Sequence, residues 1–468
     1  MKLVMKFGGT SIASGRHIRN ICSLIAGTLA QKNKVIVVVS ALGNVTDDLV
    51  KACSSSEKGN KKLVSKHIKN ISKTHFLAAK TTIKNKAIQN KVSRQIETTI
   101  SELDNVLKGV ISLHELTPRV RDYVLSFGER LSIILISGAL NSLGINSEHF
   151  TGKDAGIVTD SNFGEARPLT KVTLYQVRNK LAPLVEKGVT PVVAGFIATN
   201  QNGVTTTLGR GGSDYTASLV GSALGVDEIW LWTDVNGLMT ADPRIEPSAK
   251  TISELSYQEA IEMAYFGAKM MHPRALEAAM EKGIPVRVRN TFNLDNRGTL
   301  VLKKQKAEPN TIVKAVSLIQ KIALITVSGA SMVGAPGAAA KLFEILGKNN
   351  VNVLMISQGS SEANISFAIP REMSDRVLNA LEMNLLGGGL VREIISEDDV
   401  CIVALVGAGM KGIPGVASRA FDAVARKKVN IRMIAQGSSE LNISFIVKEA
   451  EGDEAVKALH KEFRLQKT

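Results

Sequence analysis

Short apolar runs alternate with amphipathic stretches through roughly the first 300 residues. Leu3–Phe7, interrupted by Lys6, and Val35–Val39 are runs of the kind found in strands buried on both faces. Between them Ile18, Ile21, Cys22, Ile25 and Leu29 recur at helical spacing, completing a strand–helix–strand unit. The same reading expects strands at Pro191–Phe196, Glu228–Thr233 and Pro285–Arg289, and helices at Ser213–Leu224 and His272–Lys282. Ile88, Val92, Ile96, Ile100, Leu103 and Leu107 mark a long amphipathic helix. A further helical run starts at Pro118 and reaches Leu143. The pattern predicts an α/β fold: a three-layer sandwich with helices on both faces of a sheet and a helical excursion near residues 55–115.

The last third of the chain repeats itself. GASMVGAPGAAAKLF from Gly329 returns as GAGMKGIPGVASRAF from Gly407, and MISQGSSEANISF ending at Phe367 returns as MIAQGSSELNISF ending at Phe445. The offset is 78 residues throughout, and about half the positions agree, as in tandem modules. Each copy reads strand, glycine-rich turn, helix, strand, turn, strand, so two small α+β modules should pack side by side. Lys303–Asn310 is the polar linker before them.

Composition narrows the class. With 44% hydrophobic residues but only 4% aromatics, the cores must be built from Val, Ile, Leu and Ala. No apolar run approaches the ~18 residues of a membrane span, and the N-terminus lacks the pattern of a secretory signal. Cys22, Cys53 and Cys401 are far apart and form no CxxC, so buried thiols in a reducing cytoplasm are expected, with no disulfide or zinc framework. The net charge is +15, and Lys58–Arg94 carries many lysines and no acid. That stretch has one aromatic, Phe76, and no arginine before Arg94, so it lacks the stacking and forked groups of a nucleic-acid surface and fits a solvated helical hairpin better.

Four clusters carry candidate chemistry. There is no GxxxxGK[ST], so a P-loop is excluded. Lys6-Phe7-Gly8-Gly9-Thr10-Ser11 ends the first strand: a cation followed by two glycines lets backbone N–H groups approach a phosphate. Thr206–Asp214 places Arg210, Gly211, Ser213 and Asp214 ahead of a helix, capped by Ser213 or Asp214. A guanidinium and a carboxylate there suit the two charges of an amino acid. Trp232–Gly237 and Thr240–Arg244 follow a strand, where nucleotides bind in open α/β sheets. In Phe266–Pro273, His272 is expected to serve a helix start.

KFGGTS, FGERLS at 127–132, TTLGRGGSDYTA at 206–217, WTDVNG with TADPR at 232–244, and FGAKMMHP at 266–273 together resemble the aspartate kinase family of the amino acid kinase superfamily. The C-terminal repeat looks like that family's tandem ACT modules, of ferredoxin-like fold. The resemblance implies an amino acid kinase domain over 1–302 and ACT modules over 311–395 and 396–468, with boundaries that can interleave. It implies transfer of the ATP γ-phosphoryl group, with Mg²⁺, to the β-carboxylate of L-aspartate, the first step toward lysine, threonine and methionine. It implies Lys6, Gly8, Gly9, Thr10 and Ser11 at the transferring phosphate, and Thr233, Asp234, Arg244, Lys269 and Met270 around the rest of the nucleotide. Ser40, Thr46, Glu129, Gly211 and Ser213 would face aspartate, Glu129 and Asp214 holding its ammonium and Arg210 its α-carboxylate. Lys6, Arg210 and Asp214 form the catalytic set, without a protein-built metal site. Met239 stands where the family often has an aromatic, so no essential role is carried to it. In the modules, Met332, Gly334, Gly337 and Gln358, with Met410, Gly412, Gly415 and Gln436, would hold an effector. The QGSSE-x-NIS pattern looks threonine-responsive rather than lysine-responsive. A homodimer or higher assembly through the ACT modules is implied, with no membrane partner. The 468 residues leave no room for an appended homoserine dehydrogenase, which implies a monofunctional enzyme. A glutamate-directed kinase and a non-catalytic amino acid sensor on the same fold are the rival readings.

Overall fold

The computed structural model describes all residues except 266–271, 304–311, 360–362, 387–390 and 468. Two compact units emerge. Met1–Leu238, Ser253–Tyr257 and Lys269–Gln305 form the first, and Met239–Ile252, Gln258–Ala268 and Lys306–Thr468 the second. Parts of the span 1–302 thus cluster with the C-terminal unit.

In the first unit the chain runs β1 (Lys2–Phe7), α1 (Gly15–Ala30), β2 (Lys34–Val39), α2 (Val45–Glu57), α3 (Lys61–Thr82), α4 (Lys86–Leu113), α5 (Pro118–Ser142), β3 (Ser147–Phe150), α6 (Gly152–Ala155), β4 (Val158–Thr159) and α7 (Thr170–Glu186). It continues β5 (Thr190–Ala194), β6 (Ile197–Asn200), β7 (Thr205–Thr207), α8 (Gly212–Leu224), β8 (Glu228–Thr233) and β9 (Glu254–Ser256). α9 (Tyr257–Tyr265) leaves for the second unit, and α10 (Arg274–Lys282), β10 (Val286–Asn290) and β11 (Thr299–Leu302) return.

Eight strands form one sheet in the order β3-β5-β2-β1-β8-β10-β11-β9, parallel except for the β10–β11 pair. β1 and β2 are central, which is why their sequences are apolar on both faces. Met5, Phe7, Val37 and Val39 pack against the layer built by α1 to α5, and Lys6 points to the other face, where α8 lies. β4, β6 and β7 make a small separate sheet.

Local chemistry sets the helix starts. Ser14 Oγ accepts from His17 N, Asn60 Oδ1 from Leu63 N, and Thr117 Oγ1 from Val120 N ahead of Pro118. Among the described helices, α5 is long and apolar enough by length and composition to cross a membrane, contrary to the expectation that no run comes near. Because 83% of that window is buried, α5 reads as the core helix of this unit. All three cysteines are buried and free, and burial lifts the thiols of Cys22 and Cys401 to about 12 and that of Cys53 to about 11.

The strand expected over Pro191–Phe196 breaks at Gly195. Phe196 takes φ 65°, a strained conformation for an aromatic residue, and β6 begins at Ile197. Its N–H donates to Thr216 Oγ1 (3.2 Å) and its carbonyl accepts from Leu208 N (2.9 Å), which holds the bend. α8 begins one residue earlier than expected and is capped by Gly211 at φ 74°, with no side-chain capping bond. Ser213 and Asp214 therefore lie inside the first turn.

The second unit contains β12 (Ala315–Ser328), α11 (Ala338–Lys348), β13 (Met355–Gln358), β14 (Asn364–Pro370), α12 (Ser374–Leu385), β15 (Glu393–Val406), α13 (Val416–Ala425), β16 (Met433–Ala435), β17 (Asn442–Lys448) and α14 (Gly452–Glu462). Each repeat thus ends in a second helix, α12 or α14, that the strand–turn pattern left out. The six strands form one sheet, β13-β14-β12-β15-β17-β16. The repeats interleave. Val313 and Val316, before the first repeat, pack in the core of the second, and Val391, after the first, packs in the core of the first. The 14-residue strands β12 and β15 run antiparallel with register shifts between Ile319 and Leu324, and so serve both cores.

Candidate active site

A cleft of about 530 Å³ opens where β1, β2 and the start of α8 converge. Lys6, Gly9 and Thr10 line it from the end of β1, and Ser40 to Asn44 with Thr46 from the end of β2. Glu129 reaches it from α5, and Phe196, Gly209 and Gly211 to Asp214 close the far side.

Lys6 Nζ is ion-paired with Asp214 Oδ1, and both side chains are nearly buried. Glu129 is 4% exposed, and its Oε1 accepts from Ala41 N at 3.0 Å. Burial raises the Glu129 carboxyl to about 8, against the opposing pull of the Ala41 N–H and the Lys6 charge. The cleft therefore holds one cation between two acids in a poorly solvated place.

Close approach of backbone explains the glycines. A Cβ on Gly9 would stand 3.1 Å from Ala41 O, and one on Gly211 would run into His272 Cβ at 2.3 Å. Asn44, at φ 66°, turns the chain into α2, a conformation that Asn tolerates.

Not every expected residue meets here. Ser11 is fully buried, with its hydroxyl 2.7 Å from Thr291 Oγ1 and 3.4 Å from Trp232 O, so its side chain braces the turn and does not face a phosphate. Arg210 is exposed and does not line the cleft, because the glycine turn on either side carries it outward. Thr233 and Asp234 sit at the end of β8, beside Gly8, whose N–H donates to Trp232 O at 3.2 Å. Arg244 belongs to the second unit and forks onto Asp242, with Nε–Oδ1 at 3.0 Å. Lys269 and Met270 lie outside the described residues. His272 Nδ1 accepts from Arg274 N (3.3 Å), the helix-start role expected of it.

Several contributors escaped the sequence reading, Ala41 to Asn44 among them, and two more stand out. Phe196 lines the cleft through its strained bend, and a glycine beside an aromatic at a strand end was the available signal. Asp122 is buried and accepts from Thr207 N (2.8 Å), Thr207 Oγ1 (2.8 Å) and Gly164 N (3.0 Å), anchoring the strand that leads to Gly209. No local pattern announces that bond.

The effector candidates divide similarly. Gly334 and Gly412 turn at φ 64° and 69°, and Gly337 and Gly415 start α11 and α13. Gly412 N, expected to be offered to a ligand, already donates to Glu440 Oε2 at 2.7 Å. Met332 and Met410 are 4% and 3% exposed and belong to the module cores, not to a ligand surface. Gln358 and Gln436 are exposed at or just past strand ends.

A nearly parallel sheet with a basic glycine turn at its central strand tip, facing an acidic helix start, defines a phosphotransferase cleft. The chain belongs to the amino acid kinase family, which matches residues 1–290, and the ACT domain matches residues 325–385 and 403–463. Within that family the full-length likeness is to aspartokinases. Aspartokinase 1, chloroplastic, of Arabidopsis thaliana is 34% identical over 98% of this chain and 80% of its own length. The bifunctional aspartokinase/homoserine dehydrogenase 2, chloroplastic, of Zea mays is 32% identical over 99% of this chain, which spans only 51% of that protein. Among solved structures, E. coli aspartokinase III in complex with aspartate and ADP superposes with a TM-score of 0.84 at 29% identity, covering 99% of each chain. The same enzyme with lysine and aspartate superposes at 0.79 and 28%. The expected fold class, a kinase fold followed by ACT domains, holds.

Proposed function

We propose that this chain phosphorylates the β-carboxylate of L-aspartate with ATP, and that Lys6 is the group that makes the two anions compatible. The observation that carries this reading is the meeting of Lys6, Asp214 and Glu129 in one cleft lined by glycine backbone. A carboxylate nucleophile is ionised at neutral pH, so no general base is needed and catalysis reduces to alignment and charge neutralisation.

In this mechanism the terminal phosphate of ATP draws Lys6 away from Asp214, as Gly9 and Thr10 offer backbone N–H groups; the Gly8 N–H, expected to join them, is already committed to Trp232 O. Asp214, so released, and Glu129 take the aspartate ammonium, with Ser40, Thr46, Gly211 and Ser213 around the rest of the molecule. Arg210 swings in from the rim to the α-carboxylate. Thr233 and Asp234 meet the nucleotide from β8. Mg²⁺, when bound together with ATP, would supply charge neutralisation. Asp234, exposed at the end of β8 beside the glycine turn, is the carboxylate that would hold it. Other elements of the same reading are end-product control, by threonine rather than lysine, through the ACT modules, self-association through them, and a cytoplasmic setting. The relatives' complexes with aspartate, ADP and lysine support the ligand classes.

Hydroxylamine trapping of the acyl phosphate tests the reading. Aspartate with Mg-ATP should give hydroxamate and glutamate should not. Lys6→Ala should lower kcat by about 100-fold or more with unchanged circular dichroism. Arg210→Ala should mainly raise the aspartate KM. Wild-type turnover in Lys6→Ala removes Lys6 from the mechanism.

A further inference from the structure

On the sheet face opposite Lys6, a second cavity of about 900 Å³ lies between α1 and the loop from β10 to β11. The face is fixed by Trp232, which stacks on Phe7 at 6.1 Å, while Phe7 and Lys6 point to opposite sides. The size suits a small molecule, and no lining residue is shared with the cleft.

Its chemistry is one-sided. Arg16 and Arg289 line it, and no carboxylate does. The nearby Glu228 is committed to Arg287, Oε1 to Nε at 2.7 Å. The Arg289 guanidinium lies over two rings, 4.6 Å from the centre of Trp232 and 5.2 Å from that of Trp230. One of its Nη atoms donates to Leu294 O at 3.2 Å, but its Nε–H is buried without an acceptor. Trp230 Nε1–H and His17 Nδ1 are buried and unpartnered as well. An unpaired buried donor costs about 1–3 kcal/mol. Desolvation, then the neighbouring Arg287, lowers the proton affinity of Arg289, with Glu228 opposing. A flat surface accompanies the charge: the Phe292 ring sits 5.0 Å from that of His17, and Leu24 and Leu294 complete the walls. Gly27, in the last turn of α1, leaves the space open, since a Cβ there would meet nothing within 4 Å.

We propose that this cavity is a second ligand site of the kinase unit and takes a small aromatic carboxylate, with its charge on Arg289 and Arg16 and its ring against Trp230 and Phe292. Thr291 also lines the cavity, and its Oγ1 holds Ser11 Oγ in the turn after Gly8 and Gly9. An occupant therefore touches a residue bonded to the phosphate loop.

The chain has two tryptophans, Trp230 and Trp232, so intrinsic fluorescence reports on this place. Titration of the full-length protein with benzoate should give a saturable fluorescence change. Benzamide, its neutral counterpart, should bind at least tenfold more weakly, and inorganic phosphate likewise. The change should persist with saturating Mg-ATP and aspartate. Gly27→Leu, which fills the space, should abolish it with the circular dichroism intact, and Arg289→Met should weaken it at least tenfold. The proposal is overturned by the absence of saturation, by equal affinity for benzamide or phosphate, by displacement with ATP or aspartate, or by undiminished binding in Gly27→Leu. Should Arg289→Met fail to fold, the Gly27→Leu comparison decides alone.

Discussion

At the scale of single residues, burial sets the protonation of the site. The Glu129 carboxyl, ordinarily near 4.5, is held at about 8. Between those values the folded chain keeps a proton that the unfolded chain has lost. Stability therefore falls as pH rises across the window, by up to about 1.4 kcal/mol per unit. His75 works the other way. Fully buried, it is lowered from 6.5 to about 4, so the unfolded chain alone takes up a proton as pH drops through that range and stability falls with it. The two slopes oppose each other between 4.5 and 6.5, leaving the Glu129 decline visible from about 6.5 to 8. Urea midpoints of the wild type should fall over that interval, and those of Glu129→Gln should stay flat. A substrate ammonium favours ionised Glu129, so the aspartate KM should drop as pH rises through 8, and the Gln variant should lose that trend. The acids themselves were legible from FGERLS and GRGGSD. Their proton affinities were not, because desolvation depends on what the rest of the chain stacks above them.

At the scale of elements, two glycines show how contact overrides propensity. Gly128 brings α5 against residue 41: a Cβ there would come within 2.7 Å of Ala41 Cβ. Alanine is the better helix former by about 1 kcal/mol, but overpacking costs about 1–3 kcal/mol, and the shift would also strain the bond from Ala41 N to Glu129. Gly128→Ala should lower the melting temperature and the activity together. Gly109, exposed in α4 with nothing within 4 Å of a built Cβ, should behave in the opposite sense: Gly109→Ala should stabilise by about 0.5–1 kcal/mol in a urea titration. The strands of the first unit were readable because apolar runs between turns leave few alternatives. α12 carries Val377, Leu381 and Leu385 at helical spacing, all buried, yet it follows a strand–turn–strand run whose period masks it. The cap of α8 was misplaced because Ser and Asp cap more often than a left-handed glycine, and here the glycine is required by the neighbouring His272.

At the scale of the whole molecule, the repeat is a fused pair and not two separable beads. Because β12 and β15 each serve both cores, a change at one repeat is felt across the shared sheet. On the proposal that the exposed glutamines hold the effector and that the effector is threonine, Gln358→Ala and Gln436→Ala should each raise its concentration for half-inhibition about fivefold or more, the scale of a typical allosteric coupling. Unchanged inhibition in both would move the effector elsewhere. The repeat itself was plain in the sequence. Its interleaving was not, since a 78-residue offset says that two modules exist but not which flanking strand completes which core.

Short-range chemistry is what the amino-acid order determined alone: the alternation of strands and helices, the duplicated module, and the glycine-flanked lysine, arginine and acids of a carboxylate kinase. Side-chain period and turn chemistry act over a few residues and need no partner. Tertiary structure decided which of those groups meet. It joined Ala41 to Glu129 across 88 residues, closed Lys6 on Asp214, turned Ser11 inward and Arg210 outward, and laid Arg289 over two tryptophans on the opposite face. Those outcomes depend on distance and on the exclusion of water, and neither exists until the sheet has assembled.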